Sequence, residues 1–187
     1  MARGHRRLRD DRVSRTSAGG SALAAEGSEL GAIHAELLAL DLLTLRAHTE
    51  LAGDVLDADA HRQLLAESLA TAELVVVRRS GALVAYAMLR PQEAGLWFVL
   101  GFNTHPAHRD AGVFRDLFAQ IAALAGRRSI TALRSNVYRT NRLSVAFHRR
   151  LGFRVTREAA KGVEFTATLE ELMAATQALR PLRRASA

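Results

Sequence analysis

The 187 residues contain no cysteine. Disulfides, thiolate metal sites and a cysteine nucleophile are thereby removed, and the redox compartment stays open. No run of about 18 apolar residues occurs, so no membrane span is expected. The opening MARGHRRLRDDRVSR lacks the apolar segment of a secretory signal, which leads us to expect a cytoplasmic protein. No internal repeat is visible. What is present is a chain 49% apolar, long enough for one domain with a real core.

The net charge of +7 resembles a nucleic-acid signature until it is located. Six arginines stand in residues 1–20, and Arg180, Arg183 and Arg184 close the chain. Between 21 and 179, acidic and basic side chains cancel. A basic groove on the folded body is therefore not expected, and nucleic acid is expected to touch at most the ends. Residues 1–27 read as a basic, flexible arm, 28–179 as one domain and 180–187 as a basic tail.

Ser28 is placed to cap a helix through ELGAIHAELLALDLLTLRA, and Asp59 a second through AHRQLLAESLATA. Three strands follow: ELVVVRR, a Ser80-Gly81 turn, ALVAYAML, a turn over Pro91–Gly95, and LWFVLGFNT. VFRDLFAQIAALAG reads as a helix ending at Gly126. SITALRSNV, FRVTREA and VEFTATL are further strands, RLSVAFHRRLG a short helix, and LEELMAATQAL a closing one. A strand, helix and strand across 96–134 imply a parallel crossover. The fold class is thus α/β (α+β): a mixed, mostly antiparallel sheet of about six or seven strands flanked by helices, with ligands bound off the strand ends.

The segment HPAHRDAGVFRD, residues 105–116, falls at such a strand end. A helix start offers unpaired N–H groups and the positive end of a dipole. Gly112 would let a phosphate approach the backbone, and Arg109 can offer a two-pronged guanidinium. A plain helix start with an incidental arginine explains this segment alone equally well. A P-loop is excluded because its Gly-Lys-Ser/Thr end is missing, and a Rossmann fingerprint because Gly112 is the lone glycine. His105 and His108 have no third ligand near them, so no metal is expected.

The segment NRLSVAFHRRLGF, residues 141–153, puts Asn141, Ser144 and His148 on one helix face and Leu143, Ala146, Phe147 and Leu151 on the other. The polar face could line a cleft, or be a solvated face with an asparagine cap. Gly152 reads as a C-cap.

Together the two segments resemble the GCN5-related N-acetyltransferases. That family's pyrophosphate loop, Gln/Arg-x-x-Gly-x-Gly/Ala after a proline, is matched by Pro106 and by Arg109 to Phe114, except at the last position. Its later signature, Asn-x-x-Ala-x-x-Phe-Tyr-x-x-x-Gly-Phe, is matched by Asn141, Phe147, Gly152 and Phe153, with Ser144 and His148 as departures. The resemblance implies the acyl-CoA N-acyltransferase fold, acetyl-CoA as acyl donor without a metal, and an amine acceptor, either a small molecule or a peptide. It is compatible with a homodimer.

By the same resemblance, Thr104 would bind the pantetheine through its backbone, with His105 and Pro106 beside it. Arg109 and the amides of Asp110, Ala111, Gly112, Val113 and Phe114 would hold the pyrophosphate. Asn141 and Ser144 would reach the cofactor, and His148, at the family's tyrosine position, would protonate the departing thiolate. Phe114 replaces a small residue and also falls in the helix's apolar stripe. No Ser-His-Asp or Cys-His set can be placed, so direct transfer is implied. The third strand carries no carboxylate, which leaves Glu93 or relayed water as general base. Glu50, Asp54, Asp57 and Asp59 would suit a cationic acceptor. The rival reading is an acyl-CoA-binding regulatory domain with little turnover.

Overall fold

The structure, a computed structural model, describes residues 18–178. Most of the expected arm, residues 1–17, and the tail 180–187 lie outside them. Two helices come first, α1 (Ala18–Leu51) and α2 (Ala58–Thr71). The first begins at Ala18, so Ser28 lies inside it and is not its cap. The stretch SALAAEGSEL is rich enough in Ala, Leu and Glu to continue a helix past Gly27. Asp57, not Asp59, caps α2: its carboxylate accepts from the N–H groups of Asp59 and Ala60. Asp59 instead pairs with Arg62 one turn on. The chain divides into two units, 1–33 and 34–187, and the candidate site lies wholly in the second.

Six strands form one sheet: β1 (Glu73–Arg79), β2 (Ala82–Glu93), β3 (Leu96–Thr104), β4 (Ala132–Tyr138), β5 (Arg154–Glu158) and β6 (Gly162–Thr168). Their order is β1-β2-β3-β4-β6-β5, and every neighbouring pair is antiparallel except β3 and β4. This is the expected mixed, mostly antiparallel sheet. Ser80 and Gly81 turn the first hairpin with φ of 50° and 86°, the doubly left-handed pair that suits strand twist.

The second turn is shorter than expected, because β2 runs on through Pro91 to Glu93. β1 pairs with β2 only as far as Leu89, so Pro91 has β3 on one side and no ladder on the other. A residue without an N–H is tolerated on such an edge.

The helix α3 (Ala111–Arg128) buries Val113, Leu117, Phe118, Ile121, Leu124 and Ala125 along one stripe. It runs past Gly126 to Arg128, and Ser129 supplies the left-handed residue with φ 52°. The two closing arginines favour the negative end of the helix. Helices α4 (Arg142–Arg150) and α5 (Leu169–Ala178) complete the chain. Gly152, φ 85°, follows α4 as expected.

Strand alternation separates two faces. Ala85, Ala87 and Leu89 of β2 join the core with α3, while Tyr86 between them reaches α1. The β3–β4 pairing covers only Leu96–Val99 against Ala132–Ser135. Farther on, each strand keeps its outer partner, β2 or β6, and loses the other. The sheet therefore parts at the carboxyl end of β3. No described helix is long and apolar enough to cross a membrane.

Candidate active site

Where the strands part lies a cavity of about 1200 Å³. Phe102, Asn103 and Thr104 line it from β3, Thr44, Leu45 and His48 from α1, and Met173, Thr176 and Gln177 from α5. Arg109 comes from the loop before α3, Ala111, Phe114 and Arg115 from its start, and Asn141, Ser144, Phe147, His148 and Arg150 from α4 and its cap. The two sequence segments singled out above thus meet on one hollow. Seven expected site residues line it: Thr104, Arg109, Ala111, Phe114, Asn141, Ser144 and His148. His105, Pro106, Asp110, Gly112 and Val113 do not. Pro106 opens a short 3-10 turn, His105 accepts from the Ala107 N–H, and Val113 is in the core.

His148 is held from all sides. Its Nδ1 lies 2.8 Å from the Ser144 carbonyl, which can only accept, so Nδ1 carries a proton. Its Nε2 lies 2.8 Å from Ser135 Oγ, a hydroxyl 3% exposed on β4. Phe165 stacks on the ring and Phe153 meets it edge-on. Burial holds the imidazole below its ordinary pKa, and the Ser144 carbonyl opposes this only in part. Neutral His148 therefore accepts from Ser135 at Nε2 and donates to the helix at Nδ1.

The start of α3 differs from an open anion cradle. Asp110 Oδ1 accepts from the N–H groups of Gly112 and Val113 at 2.8 and 3.0 Å. Two amides expected to face a pyrophosphate thus already have a carboxylate partner. Asp is among the best N-cap residues, so this was readable in Asp110-Ala111-Gly112-Val113 and was missed. Phe114 packs against the core and lies 5.3 Å from the Phe147 ring, while still facing the cavity. Asn141 caps α4 by accepting from the Ser144 N–H.

Several features nonetheless fit a coenzyme A molecule. Thr104 Oγ1 is buried at the cavity wall and has no hydrogen-bond partner among the described residues. Among the described residues, Arg109 bonds only the Thr104 carbonyl, at 3.4 Å. Together with Arg115 and Arg150 it gives the wall three guanidinium groups, suited to phosphates.

A second cluster was not anticipated. Asp41 of α1 is 2% exposed. Its Oδ1 accepts from the Tyr86 hydroxyl at 2.5 Å and from Asn103 Nδ2 at 2.6 Å, and its Oδ2 meets His61 Nε2 at 2.8 Å. Burial, then the Asp41 charge, raises the Tyr86 phenol well above its usual pKa. Gly101 makes room for the phenol, since a Cβ there would sit 2.8 Å from the Tyr86 hydroxyl. The acidic loop is a different matter. Asp54 pairs with Lys161, Asp57 caps α2, Asp59 pairs with Arg62, and none of these, nor Glu50 or Glu93, lines the cavity.

A half-parted mixed sheet with a ligand-sized hollow at the parting defines an acyl-CoA N-acyltransferase fold. The family model for the acetyltransferase (GNAT) family matches residues 40–153, and the chain belongs to that family. It is accordingly assigned to acetyl-CoA-dependent acyl transfer in general terms. A GNAT-family acetyltransferase from Staphylococcus aureus Mu50 superposes with TM-score 0.61 at 10% identity, covering 74% of this chain and 94% of that one. PaiA N-acetyltransferase from Thermoplasma acidophilum, solved with coenzyme A, gives TM-score 0.58 at 12% identity over 72% and 92% of the two chains. A ribosomal-protein-alanine N-acetyltransferase from Brucella melitensis gives 0.50 at 22% identity over 76% and 95%. These likenesses establish the fold. No curated protein matches the sequence.

Proposed function

We propose that the protein is an N-acetyltransferase that passes the acetyl group of acetyl-CoA directly to an amine. The observation that carries this reading is the meeting of Arg109, Thr104 and His148 on one cavity at the parting of β3 and β4. The thioester supplies an activated acetyl group. The carbon–nitrogen bond forms as the carbon–sulfur bond breaks, the amine gives up its proton to solvent, and the thiolate takes one up. Arg109 would bind phosphate oxygens, the Thr104 hydroxyl would find its missing partner, and His148 would provide the thiolate's proton. Among the described residues, no carboxylate lines the cavity, so water is the simplest carrier of the amine's proton.

Asp110 and Phe114 favour a second reading, an acyl-CoA-binding domain with little turnover. Thiol release from acetyl-CoA with pooled primary amines, peptides and aminoglycosides, beside longer acyl-CoAs, separates the two. Binding without release on any amine would overturn the enzyme reading.

The phosphate contacts are tested by calorimetry with coenzyme A. Arg109→Ala removes a charge-assisted contact and should weaken binding by about 1.5–3 kcal/mol. Asp110→Asn keeps a capping side chain but removes the negative charge beside the phosphates, and should tighten binding. Unchanged affinity in both variants would place the phosphates elsewhere.

A further inference from the structure

We propose that Asn103 receives the acceptor amine, and that Asp41, gripped by His61 and Tyr86, serves to point it. The proposal rests on the acetyltransferase reading above and adds the acceptor's contact to it.

An asparagine amide can be placed either way round, and its neighbours decide which. Asp41 Oδ1 only accepts, so Asn103 must turn Nδ2 toward it, at 2.6 Å. The Asn103 Oδ1 is then left without a hydrogen bond among the described residues, on a side chain that lines the cavity. Asp41 cannot rotate away, because the Tyr86 hydroxyl and His61 Nε2 hold its two oxygens. Asn103 is thus aimed from behind by side chains of three other elements.

An oxygen fixed in this way asks its ligand for an N–H or O–H. The charged hydrogen bond at Nδ2 polarises the amide and makes Oδ1 a stronger acceptor. The buried carboxylate also lies one amide away, which favours a positive ligand. The rest of the wall points the other way: Arg109, Arg115 and Arg150 suit anions. With no carboxylate among the described lining residues, Asn103 is the place where an amine's hydrogens fit best. Its neighbours Thr44 and His48, from α1, border the same space.

The test uses nitrogen-15-labelled protein saturated with coenzyme A and titrated with n-butylammonium chloride, with sodium butyrate and butan-1-ol as controls. The side-chain amide resonances of Asn103 should shift saturably with butylammonium and not with butyrate. Asn103→Leu should weaken butylammonium binding roughly tenfold, while coenzyme A affinity by calorimetry stays within about twofold. Should Asn103→Leu fail to fold, the wild-type amide resonances decide alone. A shift produced by coenzyme A, with nothing added by butylammonium, would give this oxygen to the cofactor and overturn the proposal. So would undiminished butylammonium binding in Asn103→Leu. If coenzyme A itself does not bind, the enzymatic reading fails separately, and the titration of the unloaded protein still tests Asn103.

Discussion

Asp41→Ala should cost the protein about 3–5 kcal/mol of unfolding free energy, the range seen when a buried charged network loses one member. Three donors lose their acceptor together. The Tyr86 hydroxyl, on a residue 1% exposed, has no water to turn to, and a stranded buried donor costs about 1–3 kcal/mol. Asn103 can rotate toward the cavity, and His61, on a side chain 14% exposed, can reach solvent, so the three penalties do not simply add. Asp41→Asn keeps the shape and one accepting oxygen and should lose less. Urea unfolding at pH 7 measures both, with a lowered midpoint and an unchanged slope. A loss below about 1 kcal/mol would mean that water reaches the cluster.

The same cluster sets an alkaline limit. The Tyr86 pKa is raised in the folded state, first by burial and then by Asp41. Its contribution is therefore complete below the ordinary tyrosine pKa and is lost as pH climbs through the raised one.

His148→Phe should lower kcat about 10²-fold with little change in acetyl-CoA affinity, as removal of a general acid does. In the folded protein the imidazole titrates below its usual value because it is buried. A donor must be protonated, so the rate carried by His148 should fall as pH rises, with the limb below the free-histidine value near 6.5. His148→Tyr should recover much of the rate and move that limb upward. A protonated Nε2 would donate to Ser135 Oγ, a buried hydroxyl that is not among the residues lining the cavity. Single-turnover kcat against pH for the three proteins is the measurement. Turnover of His148→Phe within about twofold of wild type would remove the imidazole from the chemistry.

Stability gives an independent check on the same ring. A histidine with a depressed folded pKa favours the folded state above its unfolded pKa, and that advantage is lost as pH falls through the folded one. Acid should thus weaken the wild type more than His148→Phe between the two values.

The strands and α3 were legible because their signals are local. ELVVVRR and ALVAYAML are β-branched or apolar and separated by a turn pair, and the stripe of α3 repeats at helical spacing. The Arg109–Phe114 and Asn141–Phe153 segments were legible as a pair because their spacing survives, although Ser144 and His148 depart from it. Asp41 was not seen, yet it left a mark: it stands four residues after Leu37, in the register of a buried position. A carboxylate there requires donors from elsewhere. Those donors lie 20, 45 and 62 residues along the chain, and only the tertiary fold brings them together. The helix boundaries slipped for the opposite reason. Ser28, Asp59 and Gly126 are each suited to a terminus, but α1 starts ten residues before Ser28, Asp57 takes the cap of α2 two residues before Asp59, and Ser129 ends α3 three residues after Gly126.

The short pairing between β3 and β4 has a consequence for how a ligand is read. From Leu100 onward, β3 presents one row of peptide groups to β2 and the opposite row to the gap. An extended molecule carrying its own amides can enter there as a guest strand, recognised by main chain and not by side-chain identity. Such recognition leaves almost no trace in residue types. The peptide hydrogens of that row should exchange with solvent quickly in the free protein and slowly once the guest is in place.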